Sequence, residues 1–275
     1  MVVMDTSKLL EPVTTLARQA GDGILSIYNT RNGTEFENKV DGSPLTKADL
    51  LAHEILVRGL KKLSLDIPIL SEEDALPDFS IRTTWKSYWI IDPLDGTKEF
   101  INRTDEFTVN VALIEDGIPV LGVVHVPAEN STYFGQKGLG SWLRHGDHTT
   151  PISIKKMPPS DKLRIVASRR HGEEALRRLL GRFSAKGIEY ETISIGSSLK
   201  LCLVAEGRAD FYPRLAPTSE WDTAAGQAIV EAAGGIVTDT NLKPLRYNQK
   251  ENIQNPSFYV LSDPNWEWSK YLGEN

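Results

Sequence analysis

Two carboxylates three residues apart, Asp92 and Asp95, sit where an apolar run turns, in Trp89-Ile90-Ile91-Asp92-Pro93-Leu94-Asp95-Gly96-Thr97. Pro93 and Gly96 punctuate the turn, and Thr97 adds a hydroxyl beside it. A calcium loop of the EF-hand kind is excluded by spacing: with Asp92 as position 1, Leu94, Gly96 and Arg103 fall at positions 3, 5 and 12, where oxygen ligands are required. A second apolar run, Ile67 to Leu70, also ends in acid, at Ser71-Glu72-Glu73-Asp74. Acids at the ends of neighbouring strands can converge. Like charges a few ångströms apart repel strongly in a low-dielectric cleft, and a bound divalent cation is the common way to hold several ionised together.

Two further acids read locally as helix caps. In Thr46-Lys47-Ala48-Asp49 the threonine is a good N-cap and Asp49 falls in the first turn, where the helix dipole favours an anion. Asp222, in Glu220-Trp221-Asp222-Thr223-Ala224-Ala225, reads in the same way as an acid at the start of the last helix.

The elements that must hold these residues are legible as periodicity. Leu10, Val13, Leu16 or Ala17, Ala20, Ile24 and Tyr28 form the apolar stripe of an amphipathic helix expected to end near Asn32-Gly33. Thr46 opens a second helix through Leu50 or Leu51, Ile55, Val57 or Leu60 and Leu63. Ile67 to Leu70, Tyr88 to Ile91, Phe107 to Ile114 and Val120 to Val126 read as an antiparallel meander, continued by Tyr133-Phe134, Trp142-Leu143 and Ile152 to Ile154. Beyond Pro158-Pro159 the rhythm becomes strand (Leu163 to Ala167), helix (Glu173 to Ala185), strand (Tyr190 to Ile193), helix (Leu199 to Glu206), strand (Asp210 to Tyr212), helix (Asp222 to Ala233) and strand (Ile236 to Thr238). The expected class is α/β: an α+β half with an antiparallel sheet over residues 1–159 and an α/β half over 160–275.

With 275 residues, 25% of them charged and 40% hydrophobic, and a net charge of -6, the chain can bury a sizeable core, and the disordered, collagenous and coiled-coil classes are excluded. The longest stretch free of Asp, Glu, Lys and Arg, Gly117 to Ala128, has 12 residues and two prolines. A bilayer span needs about 20 apolar residues, so no transmembrane segment is expected. MVVMDTSKLL lacks the pattern of a secretory signal, which predicts a cytoplasmic protein. One cysteine, Cys202, offers neither a disulfide nor a zinc spacing. The acidic balance without a basic stripe argues against a nucleic-acid polymer as partner. Gly138-Leu139-Gly140 lacks the third glycine of a dinucleotide fingerprint, and there is no Walker-type loop or HExxH.

Asp49, Glu72, Asp92, Asp95 and Asp222 stand in four motifs that resemble those of the inositol monophosphatase superfamily of magnesium-dependent phosphomonoesterases. These are Asp41-Gly42-Ser43-Pro44-Leu45-Thr46-Lys47-Ala48-Asp49, Ser71-Glu72-Glu73, Asp92-Pro93-Leu94-Asp95-Gly96-Thr97 and Trp221-Asp222-Thr223-Ala224-Ala225-Gly226, in that order over nearly the whole chain. Within the superfamily, Lys98-Glu99-Phe100, Ile195-Gly196-Ser197-Ser198-Leu199-Lys200, Ala205-Glu206-Gly207 and Tyr212-Pro213-Arg214 are most similar to the CysQ-type 3′(2′),5′-bisphosphate nucleotidases.

The resemblance implies a layered α-β-α-β-α sugar-phosphatase fold and two or three Mg2+ ions. Glu72, Asp92 and the carbonyl of Leu94 would hold one ion, and Asp92, Asp95 and Asp222 a second. It implies Thr97 and Asp49 as the pair that accepts the attacking water's proton. The substrate would be a small bisphosphorylated nucleotide, 3′-phosphoadenosine 5′-phosphate, contacted by Gly196, Ser197, Lys200 and Arg214, with Glu72, Leu94, Asp95, Gly96, Thr97 and Asp222 also at the substrate. Gly196 at a helix N-terminus would suit anion approach. Lys98 would add positive potential beside the metal loop. The alternatives are an inositol or sugar-bisphosphate phosphatase of the same fold and a catalytically silent nucleotide sensor. Monomer and homodimer both stay open.

Overall fold

The computed structural model describes residues 6–39, 42–64, 66–157, 162–167 and 173–272. The boundary expected near Pro159, Asp41 of the first motif and the first five residues fall outside these.

The chain begins with α1 (Leu10–Tyr28), a hairpin of β1 (Phe36–Asn38) and β2 (Pro44–Thr46), and α2 (Lys47–Leu63). Then come β3 (Ile69–Ser71), α3 (Phe79–Arg82), β4 (Ser87–Asp95), α4 (Thr97–Ile101), β5 (Thr108–Glu115), β6 (Ile118–Val126), β7 (Ser131–Gln136), β8 (Gly140–His145) and β9 (His148–Ile152). The remainder is β10 (Leu163–Ala167), α5 (Glu173–Ala185), β11 (Tyr190–Ser194), α6 (Leu199–Ala205), β12 (Phe211–Arg214), α7 (Glu220–Ala232), β13 (Ile236–Asp239), β14 (Phe258–Leu261) and α8 (Ser269–Leu272).

Side chains alternate across a strand, and that alternation builds the layers. In the seven-stranded sheet, ordered β3 to β9, Trp89, Ile91, Val109, Val111 and Val123 pack under Val13, Ala20, Ile24, Ala52 and Leu56 of α1 and α2. Tyr88, Ile90, Ala112, Ile114 and Val124 face the other way, onto α6 and α7. Those two helices also cover one face of a five-stranded sheet, ordered β11-β10-β12-β14-β13, through Val166, Tyr212, Val237 and Val260. Its outer face, with Ile165, Phe211 and Tyr259, is closed by Leu179 and Phe183 of α5 and by Trp268 and Leu272 beside and in α8. The stack is α-β-α-β-α. Among the described residues no helix is long and apolar enough to cross a membrane.

Several local expectations are corrected. α1 stops at Tyr28 rather than near Gly33, because the N–H and hydroxyl of Thr30 both donate to the Ile27 carbonyl (2.9 and 2.7 Å) and fold the chain into a turn. β3 is not part of an antiparallel meander; it pairs with β4 in parallel, Ile69 opposite Trp89 and Ser71 opposite Ile91. A parallel pair needs a long crossover, which residues 72–86 with α3 provide. The strand expected through Ile154 ends at Ile152, since the Ile154 N–H turns away to the Ala233 carbonyl at 3.1 Å. β14 was not visible as a strand in the sequence, yet it lies between β12 and β13 and is antiparallel to both.

The depth at which α7 sits is set by glycine on β6. A Cβ on Gly122 would come within 2.2 Å of the Ala225 carbonyl oxygen and 2.8 Å of Ala228 Cβ. Ser141 Oγ donates to the Ile229 carbonyl at 2.7 Å and pins the same helix. Gly122→Ala is therefore expected to destabilise the protein by about 1–3 kcal/mol through overpacking. Thermal unfolding should show a Tm lower by roughly 2–4 °C per kcal/mol, whereas an ordinary surface substitution would leave it unchanged.

Candidate active site

Strand pairing brings the acids of the two apolar runs together. With β3 parallel to β4, both chains leave the sheet at one edge, and the Glu72 N–H donates to the Ile91 carbonyl at 3.2 Å. Glu72 and Asp92 thus come within hydrogen-bonding reach of each other. Against β5, Asp92 stands opposite Asn110 and Asp95 opposite Thr108, so three steps on β4 match two on β5. This bulge absorbs one residue. Without it, carboxylates at i and i+3 would point to opposite faces; with it both follow the face of Tyr88 and Ile90, while Leu94 is driven into the core under α1 and α2.

Burial and mutual charge raise the proton affinity of this group. Asp92, 1% exposed, has its pKa pushed well up by burial and then by the charges of Glu72, Asp95 and Asp222. Asp222 is also raised, by burial first and then by Asp95. Glu72 is raised by burial, with Lys39 opposing. Lys39 Nζ lies 2.8 Å from both Glu72 Oε1 and Glu73 Oε1; burial disfavours its charge, but the two carboxylates outweigh this and its pKa rises.

Asp49 and Asp222 are caps, as their sequence contexts predict, and each is also placed at the site. Asp49 is the third residue of α2 and closes a capping box: its Oδ2 accepts from the Thr46 N–H (2.7 Å) and hydroxyl (2.5 Å). Its other oxygen, Oδ1, accepts a long 3.4 Å bond from Thr97 Oγ1, which also reaches the Leu94 carbonyl at 3.3 Å. Burial pushes the Asp49 pKa up against the Thr46 bonds. In α7, which starts at Glu220 rather than at Asp222, Asp222 Oδ2 accepts from the Ser219 N–H at 3.0 Å in a second capping box.

An open cavity of about 230 Å3 adjoins the acids. Asp95, Gly96 and Lys98 form one wall, and Gly196, Ser197, Lys200, Arg214 and Asp222 the other. Glu72, Leu94 and Thr97 are not among its walls; they group around Asp92 and Asp49. Ser197 holds a left-handed φ of +46°, and its buried hydroxyl has no partner among the described residues. Lys200 is buried, donates from Nζ to the Ser197 carbonyl at 2.9 Å, and is lowered by burial to a pKa of about 8. Arg214 braces its own turn through the Ala216 and Pro217 carbonyls, each at 3.1 Å. Gly196 does not offer an anion its N–H, because Glu106 Oε2 already accepts it at 2.7 Å. A side chain at this position would displace Glu106 or Glu99, since a Cβ would lie 2.9 Å from Glu106 Oε2 and 3.0 Å from Glu99 Cγ.

Lys39, Glu106, Ser198, Asn110 and Thr108 also meet the site and were not singled out from the sequence. For Thr108 and Asn110 a signal existed, two polar residues alternating with valine at the start of a strand whose next four residues are apolar. For Lys39 and Glu106 none did, since each acts across the fold. Among the described residues no three His, Cys, Asp or Glu side chains stand at the spacing of a finished cation site. What fits a cation is the donor chemistry: four carboxylates, those of Glu72, Asp92, Asp95 and Asp222, and the Leu94 carbonyl are hard oxygen ligands of the kind Mg2+ takes.

The inositol monophosphatase family profile matches residues 5–269. The chain belongs to the inositol monophosphatase family. It is 47% identical over 252 residues to the 3′(2′),5′-bisphosphate nucleotidase CysQ of Salmonella typhimurium, covering 92% of this chain and 99% of that one. To the CysQ nucleotidase of Aggregatibacter actinomycetemcomitans it is 40% identical, with 98% of each chain covered. The crystal structure of CysQ from Bacteroides thetaiotaomicron superposes with a TM-score of 0.78 at 43% identity, over 90% of this chain and 94% of that one.

In this family member Lys200 gives the cavity a titratable charge. Unfolded, the lysine keeps its proton up to about 10.5; folded, only to about 8. Between those values the unfolded chain binds the extra proton, so the stability penalty of Lys200 is relieved as pH rises. Over the same window the cavity loses positive charge. Sulfate, whose own charge is constant there, is expected to bind progressively more weakly as pH rises through about 8. Calorimetry should find this inflection in the wild type and not in Lys200→Met.

Proposed function

We propose that this chain is a Mg2+-dependent 3′(2′),5′-bisphosphate nucleotidase that hydrolyses the 3′-phosphate of 3′-phosphoadenosine 5′-phosphate, giving adenosine 5′-phosphate and inorganic phosphate. The observation that carries the reading is a junction of two chemistries. Asp95 and Asp222, with Asp92 buried behind them, open onto a cavity that also holds Lys200, Arg214 and the unpartnered Ser197 hydroxyl. A bisphosphate needs one place for the phosphate that leaves and a cationic place for the one that is kept. The relatives that bear the nucleotidase name support the same substrate class, because they match over nearly the whole chain.

On this reading residues 1–159 carry most metal ligands and the water-activating pair, and residues 160–275 the substrate contacts and the last ligand. Glu72, Asp92, Asp95, Asp222 and the Leu94 carbonyl would hold two or three Mg2+ ions. The bound ions would supply Lewis-acid activation of water and neutralisation of the leaving oxygen. Thr97 takes a proton from the attacking water at Oγ1 and passes its own to Asp49 Oδ1, whose partner oxygen is held still by Thr46. The raised pKa of Asp49 suits a base. The new P–O bond forms as the bond to the ribose 3′-oxygen breaks, and that oxygen takes up a proton from solvent to leave as the 3′-hydroxyl. Lys200 and Arg214 keep the 5′-phosphate.

Phosphate release from 3′-phosphoadenosine 5′-phosphate and from inositol 1-phosphate, each with and without Mg2+, tests the assignment. Mg2+-dependent preference for the nucleotide is expected; preference for inositol 1-phosphate points to a sibling activity, and binding without release to a sensor. Thr97→Val is expected to lower kcat by about 10²- to 10⁴-fold with little change in KM, as loss of a positioned proton acceptor does. Thr97→Ser, which keeps the hydroxyl, should retain most activity.

Arg214→Ala removes a charge-assisted contact worth about 1.5–3 kcal/mol, so kcat/KM for the bisphosphate should fall roughly 10- to 150-fold. Adenosine 3′-phosphate, which has no second phosphate to hold, should be hydrolysed nearly as well as by the wild type. Equal losses on both substrates would make Arg214 a brace for its turn only.

A further inference from the structure

A chain of buried side chains behind the candidate metal site points from one sheet to the two acids nearest the cavity. Thr108, Asn110 and Ser198 are 0%, 1% and 2% exposed. Thr108 and Asn110 sit on β5 among Val109, Val111, Ala112 and Leu113, where a polar group is costly unless it is bonded. Their bonds run in one direction. Thr108 Oγ1 donates to Asn110 Oδ1 at 3.0 Å, which turns the amide so that Nδ2 donates to Ser198 Oγ at 2.8 Å. With an acceptor position of Ser198 taken in this way, its own proton is directed to the site: Asp95 Oδ2 lies at 2.7 Å and the main-chain carbonyl of Asp222 at 2.8 Å.

One hydroxyl therefore touches the side chain of one acid and the backbone of the other. Asp95 belongs to the bulge that ends β4, and Asp222 to the first turn of α7; the two elements approach from different layers. Thr108 stands opposite Asp95 and Asn110 opposite Asp92 in the sheet, so the chain starts from the strand that faces the bulge. Resting on the reading of Asp95 and Asp222 as ligands, we infer that Ser198, oriented by Asn110 and Thr108, is a positioning residue that sets the separation of Asp95 and Asp222 and holds Asp95 Oδ2, leaving Oδ1 to face a cation.

Hydrogen-bond partners behind metal ligands typically govern affinity by about 10–100-fold, and that is the loss expected in Mg2+ binding for Ser198→Ala. Binding is measured on the full chain without substrate, by calorimetry with Mg2+ and by electron paramagnetic resonance with Mn2+. Ser198→Thr keeps the hydroxyl and should retain most of the affinity. Asn110→Asp replaces the donor by an acceptor, drawing the Ser198 proton away from Asp95, so it should weaken Mg2+ as Ser198→Ala does; the double variant should lose little more, because both act on one path.

If Ser198→Ala and Asn110→Asp bind Mg2+ as the wild type does and only melt at lower temperature, the residues are structural and the inference is overturned while the metal-site reading stands. If the wild type itself binds no Mg2+, the reading and the inference fall together. Should Ser198→Ala not fold, Asn110→Asp decides by the same two outcomes.

Discussion

Glu72 and Asp92 share one edge of the seven-stranded sheet because β3 pairs with β4 in parallel, Ser71 opposite Ile91. An antiparallel pair would send the two acids out of opposite ends of the sheet. The bulge that follows adds Asp95 to the same face, with Leu94 as the residue turned into the core beneath α1 and α2. Burying acids together in this way is unfavourable: burial raises the pKa values of Glu72, Asp92 and Asp222, and neighbouring acids add to the rise at Asp92 and Asp222. The rest of the fold holds the arrangement in place: a strongly apolar sheet, covered on both faces, fixes the strand ends whatever the carboxylates prefer.

Two helix starts are recruited to that edge. Asp49 and Asp222 are the third residues of capping boxes on α2 and α7, helices that lie on opposite faces of the sheet. A capping carboxylate has two oxygens and needs only one for its backbone bond, so the second is available to the cleft. Structural and chemical roles are then compatible in one residue. The favourable dipole at a helix N-terminus also offsets part of the repulsion among the acids. The cap fixes the side chain's rotamer, and the close seating of α7 on Gly122 fixes the cap relative to the sheet.

The opposite wall of the cavity follows a different logic, burying a lysine among groups that only partly compensate it. Lys200 has the Ser197 carbonyl as hydrogen-bond partner and the field of Asp95, Glu99 and Glu106, yet burial still lowers its pKa to about 8. Such a lysine gains most from an anionic ligand, which restores what burial removed. Glu106 shapes this wall indirectly by taking the Gly196 N–H, so the loop that presents Ser197 is held from the far side rather than opened to the ligand.

Much of this was determined by the sequence alone. The apolar stripes located α1, α2, α5, α6 and α7 to within a few residues, and the acids of the four motifs were joined as a set by the resemblance of those motifs to a known family's. Helix periodicity and caps are local, depending on residues three or four apart, and for that reason they are written in the chain. The direction of β3 against β4, the bulge that turns Asp95 beside Asp92, and the insertion of β14 between β12 and β13 belong to pairings between residues distant in sequence. Nothing in Phe258 to Leu261 distinguishes an inner strand from a short apolar loop until its neighbours are present. Lys39 beside Glu72, Glu106 on Gly196 and the Thr108–Asn110–Ser198 chain likewise arose only in the tertiary structure, because hydrogen bonds between side chains on different layers are set by packing, which no local pattern encodes.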